Sequence, residues 1–184
     1  MKRFHRASNL LADWKNRAAC SGYPNSLFFP APDAAQALSM ARALVRNGRD
    51  RHSFRILLSD RFPDRVTPVR QAFAGLLNPE DIVVGSIPER VASAKMDLSW
   101  RSRAAEIVWA DFIAEFRPDA YFTPSLFEGF WDDAVTSIEP APYLRAATVH
   151  DLIPLTDPES YLGGEGNKRA YARKINALRR CDFL

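Results

Sequence analysis

The chain has 184 residues, 47% of them hydrophobic and including twelve Phe, which is enough apolar side chain for one domain to bury a core. Charged residues make up 26% and nearly cancel at a net charge of +3, so no nucleic-acid partner and no disordered tail are expected. Cys20 and Cys181 lack metal or disulfide spacing, no secretory apolar run follows the basic start, and nothing approaches the roughly 20 apolar residues of a membrane span, which leaves a reducing, cytoplasmic setting.

Short apolar runs alternate with longer amphipathic stretches. That pattern predicts an α/β fold: a single Rossmann-like open sheet, mostly parallel, with helices on both faces. Residues 1–24 show weak periodicity, and only 26–31 (SLFFPA), crowded by Pro24, Pro30 and Pro32, can supply a first strand. Residues 34–47 predict a helix with Ala37, Met40, Ala41, Leu44 and Val45 as its stripe, Asp33 as its N-cap and Gly48 as its close. Strands follow at 54–59 (FRILLS) and 81–85 (DIVVG). Residues 99–116 predict a second helix with Ala104, Val108, Phe112 and Phe116 on one apolar face.

A strand at 119–123 (DAYFT) is entered through Arg117-Pro118, and another at 145–149 (RAATV) ends at His150-Asp151. The last helix, 165–180, has Tyr171, Ile175 and Leu178 as its stripe. Lys168, Arg169, Arg173, Lys174, Arg179 and Arg180 surround it. These cations read as a solvated face, with contact to an anionic lipid-linked acceptor or the inner membrane surface as the alternative. Residues 181–184 (CDFL) open one further strand, and an ending there predicts a cut in a longer protein, with self-association through exposed apolar surface.

Several chemistries are excluded by motif. No G-x-G-x-x-G lies between a strand and a helix; Gly163, Gly164 and Gly166 follow a loop and present Glu165, which repels an anion. A phosphate loop and a G-x-S-x-G elbow are also missing. Ligands of open parallel sheets gather beyond the carboxyl ends of the strands, which directs attention to two segments. After DAYFT comes a loop from Pro124 to Asp133 in which Phe127, Phe130 and Trp131 stand beside Glu128, Asp132 and Asp133, a composition suited to sugar rings and their hydroxyls. After RAATV comes His150, a titratable imidazole at a strand tip, followed by Asp151. Each has a plainer alternative: His150 as a bridge in a strand-to-helix turn, Asp151 as a partner of loop amides, the three loop carboxylates as solvated groups, and Phe127 and Phe130 as packing residues.

Together, SLFEGFWDDAVTSI at 125–138, TVHDLIPLTDPESYL at 148–162 and the basic helix leading to LRRCDFL carry a resemblance. With SDRFPD at 59–64 and RPDAYFTPSLFEGF at 117–130, the segment 34–184 resembles the amino-terminal, acceptor-side domain of bacterial family-four glycosyltransferases of the two-domain GT-B kind. The resemblance implies retaining transfer from a nucleotide-sugar, which is a co-substrate, to a carbohydrate or lipid-linked acceptor, with no metal and no resident cofactor. It places His150 toward the reacting sugar with Asp151 supporting its loop as the catalytic pair. Ser125, Phe127, Glu128, Gly129, Asp132 and Asp133 would line the acceptor side.

Two departures qualify what the resemblance implies. Family members open on a strand and a G-I-G-R-Y-like loop whose amides approach the donor phosphates, whereas 26–35 (SLFFPAPDAA) has no glycine and two prolines. The family's donor domain has two Glu separated by seven residues, and none of the eight Glu here forms such a pair. The expected organisation is therefore a divergent segment over 1–31 and a glycosyltransferase amino-terminal domain over 32–184, whose donor domain is missing and which alone is inactive. The other reading is a carbohydrate-binding or assembly module without catalysis, or a nonfunctional fragment.

Overall fold

A computed structural model of the chain describes residues 24–28, 34–95, 99–136, 140–149 and 152–184. Five parallel strands form one sheet in the order β3-β2-β1-β4-β5, with β1 Pro24–Phe28, β2 Ser53–Ser59, β3 Ile82–Gly85, β4 Ala120–Thr123 and β5 Leu144–Ala147. The sheet reads as expected for an α/β Rossmann-like fold. The first strand begins at Pro24, two residues earlier than the SLFFPA run, and occupies the centre. Proline is tolerated at its start because the first residue of a strand can leave its ring outside the ladder.

Strand β2 shows why helices must cover both faces. Leu57 packs toward α3 (Ser99–Glu115) with Trp109, Ile113 and Tyr121. Its neighbours Ile56 and Leu58 point the other way, toward Ala37, Ala41 and Val45 of α1 (Ala34–Gly48) and Val69 of α2 (Pro63–Ala72). An FRILLS run buries both faces because alternate side chains point to opposite sides of a sheet. Helix α2 has no counterpart among the predicted elements: Pro63 starts it, Pro68 lies inside it, and only Val69 of its residues is buried, so it has no apolar stripe to detect.

Helix α3 buries a different face from the one expected. Ala105, Trp109 and Ile113 are enclosed, whereas Val108 is 42% exposed and Ile107 also faces out. Ile107, Val108, Trp109, Ala110, Phe112 and Ile113 surround the helix, so apolar spacing alone supports more than one phase. On α1, Ala37, Ala41 and Val45 are buried as expected and Leu44 is exposed. The proposed cap Asp33 lies outside the described residues.

Beyond β5 come two short helices, α4 Ile153–Thr156 and α5 Pro158–Leu162, and then α6 Glu165–Leu178. Asp157 caps α5, its carboxylate accepting from Ser160 N at 3.3 Å. The CDFL segment does begin another parallel pairing: Phe183 bridges Ala146, and Ala147 N donates to Phe183 O at 3.2 Å. Among the described residues, no helix is long and apolar enough to cross a membrane.

Candidate functional site

The two segments singled out as strand-end loops converge. A cleft of about 320 Å³ opens at the carboxyl edge of the sheet, lined from the β4 side by Ser125, Phe127, Glu128, Phe130 and Trp131. Pro154 of α4, Tyr161 and Leu162 of α5, and Asn167 and Tyr171 of α6 close the other side. Parallel strands deliver both loops to the same edge, which is why segments distant in sequence, such as Trp131 and Pro154, line one cleft. Trp131 and Tyr161 are 69% and 61% exposed and offer flat apolar faces to the opening. Asn167 Nδ2 donates to Gly163 O at 2.9 Å, while its enclosed Oδ1 accepts no hydrogen bond among the described residues.

Within this loop the carboxylates divide by task. Glu128 lines the cleft and accepts from the buried Ser125 Oγ at 3.0 Å. Asp132 accepts from Ala134 N at 3.0 Å, an Asx turn. Asp133 accepts from Arg90 N at 3.1 Å and Val91 N at 2.7 Å, strapping the loop to a segment more than 40 residues earlier. Ser93 N and Ser93 Oγ add bonds to Gly129 O at 2.9 and 2.8 Å, and Ala94 N donates to Phe130 O at 3.0 Å. Gly129 itself has φ of +81°, and a Cβ there would stand 2.0 Å from Ala134 O, so the turn requires glycine.

The structure thus brings Ser125, Phe127 and Glu128 into the cleft wall, with Gly129 as the pivot and Asp132 and Asp133 bonded to backbone amides. Phe127 packs as well as lines: its ring stacks on Tyr171, and both join Leu126, Ala147, Leu162, Ile175 and Leu178 in one apolar cluster. His150 and Asp151 lie outside the described residues. Burial pushes the Cys181 thiol upward, away from thiolate chemistry.

Lys174 is the largest departure from expectation. It belongs to the cations read as a solvated face, yet it is 4% exposed. Burial pulls its ammonium down to about 8, against the attraction of Glu106, Glu128 and Asp132 and alongside repulsion from Arg173. Its Nζ donates to Oγ1 of the buried Thr136, whose hydroxyl donates to Leu126 O at 2.7 Å. A signal for this was present: position 174 lies three residues after Tyr171 and four before Leu178, on the apolar stripe. Glu106 is likewise enclosed, paired with Arg103 and Arg173.

A Rossmann-like sheet with an aromatic, carboxylate-bearing cleft at its carboxyl edge is what the structure shows, and the comparisons with known proteins relate the chain to part of a glycosyltransferase. Over 149 residues, 79% of this chain, the sequence is 32% identical to the serotype-specific mannosyltransferase WbdA of Escherichia coli. Two further WbdA sequences from that organism are 32% identical over 148 residues. The chain spans 18% of the length of these curated relatives. No family model and no solved structure matches it. Identity sustained over about four fifths of the chain marks homology to a part of these mannosyltransferases.

Proposed function

We propose that the chain is the amino-terminal, acceptor-side half of a bacterial family-four glycosyltransferase of the GT-B kind, with residues 32–184 forming the domain. In the intact enzyme it holds a carbohydrate or lipid-linked acceptor while a sugar, a mannosyl unit by analogy with the WbdA relatives, arrives from a nucleotide-sugar with retention. The carrying observation is the cleft shared by the loops after β4 and β5. There Phe127, Trp131 and Tyr161 offer faces to a sugar ring and Glu128 accepts a hydroxyl.

In this reading His150, three residues beyond β5 in the sequence, presents its imidazole to the reacting sugar and Asp151 holds the loop. Positive charge develops on the sugar ring in the transition state and negative charge on the departing phosphate, so the preorganised donors for the phosphate belong to the donor domain. Asp132 and Asp133 act by holding the loop in shape. The setting is cytoplasmic, and the exposed Arg169, Arg179 and Arg180 of the last helical segment supply a contact to an anionic membrane face.

Titration calorimetry with methyl α-D-mannopyranoside and an α-linked mannobiose tests the reading. Binding with a Kd on the order of 1 mM is expected, weakened about tenfold or more by Trp131→Ala or Glu128→Gln. Absence of binding by the unaltered chain to either sugar would overturn it. Because no Glu pair of the donor type is present, the chain alone is expected not to turn over a nucleotide-sugar. Turnover well above a His150→Ala control would contradict that.

A further inference from the structure

Lys174 has a position on α6 that Leu or Met would fill without burying a charge. An enclosed ammonium is unfavourable unless its surroundings use the charge, and groups of this kind cluster at functional sites. Its surroundings are specific. From α3, Glu106 acts on it; from its own helix, Arg173; from the loop after β4, Glu128 and Asp132. Glu106, which also pairs with Arg103 and Arg173, is the strongest opposite charge acting on Lys174, and the two loop carboxylates add to it.

The hydrogen bonds lead to the same loop. Lys174 Nζ reaches Thr136 Oγ1, and the Thr136 hydroxyl donates to Leu126 O, tying the last described residue of the loop back to its beginning. One turn earlier on the same helix, Tyr171 lines the cleft and stacks on Phe127. A single helix therefore carries both a wall of the cleft and the group beneath the opposite wall. We propose that Lys174 is a positioning residue of the cleft: its ammonium latches the 125–136 loop through Thr136 and so holds the segment that presents Glu128 to a sugar hydroxyl. Only the reference to a sugar rests on the acceptor reading; the latch stands without it.

Amide hydrogen exchange on the full chain at pH 7 reads the latch directly. Ser93 N and Ala94 N donate to carbonyls of the loop, and Ala134 N to Asp132. Lys174→Met and Thr136→Val are expected to speed exchange at these three amides about tenfold or more, with the amides of Val45 and Ile56 unchanged. Lys174→Arg, which keeps the charge, is expected to recover most of the protection. Unchanged exchange at the loop amides in both Lys174→Met and Thr136→Val overturns the proposal; should the Met variant not fold, Thr136→Val decides alone.

Calorimetry with methyl α-D-mannopyranoside separates the two readings. If the unaltered chain binds, Lys174→Met is expected to lose about tenfold in affinity without losing stability, and undiminished binding overturns the positioning role. If the unaltered chain does not bind but the loop amides respond, the latch is supported and the acceptor reading fails.

Discussion

The rings of Phe127 and Tyr171 stack with centroids 5.1 Å apart and planes 22° apart, joining the loop after β4 to α6 across one end of the cleft. Tyr171 is buried in the cluster that seats both elements, so the stack is a wall and a fastening together. Replacing Tyr171 with Ala is expected to cost about 3 kcal/mol in urea unfolding, and Tyr171→Phe about 1 kcal/mol or less. Equal losses for the two variants would assign the effect to the hydroxyl and not to the ring.

Gly129→Ala tests the pivot. The added methyl meets Ala134 O in a backbone conformation that L residues rarely adopt, and the Gly129 backbone is held in place by the bonds from Ser93 and Ala94 to Gly129 O and Phe130 O. A loss of roughly 2 kcal/mol or more is expected from thermal unfolding. A variant as stable as the parent would show that the turn has room to rearrange.

The strap from Asp133 should be measurable by itself. Asp133→Ala leaves the Arg90 and Val91 amides without their acceptor, at a cost of about 2 kcal/mol in chemical denaturation. Asp133→Asn retains one acceptor oxygen and is expected to recover part of that. No difference between Ala and Asn would mean that water replaces the carboxylate at both amides.

Lys174 predicts a pH dependence whose sign follows from its lowered folded-state value. Below about pH 8 the ammonium is protonated in both states and the full burial cost is present. Between about pH 8 and the unfolded value near 10.5, the unfolded chain holds the proton and the folded chain does not, so stability rises with pH. Relative to Lys174→Met, the parent is expected to gain on the order of 2 kcal/mol across that window, measured by urea unfolding at stepped pH. Tyr121 and Tyr143, both raised by burial, titrate above it and are common to the two proteins. Parallel pH profiles would show that Lys174 is solvated.

By itself the sequence determined the parallel α/β pattern and the sheet edge at which the candidate cleft is found. A run such as FRILLS, apolar at successive positions, can be satisfied only by a strand covered on both faces, and chain order then carries the segments after DAYFT and RAATV to one edge. Local spacing also marked Gly129, Phe127 and Glu128 as members of one loop. Only the tertiary structure decided which face of α3 is buried, since apolar residues surround that helix and its phase depends on what Leu57 and Tyr121 present to it. It likewise decided that Asp133 serves Val91 and that Lys174 is enclosed under Thr136. Periodicity reports which side of an element is apolar. Whether a polar group on that side faces water or a partner is settled by a segment tens of residues away, and no local spacing encodes where that segment arrives.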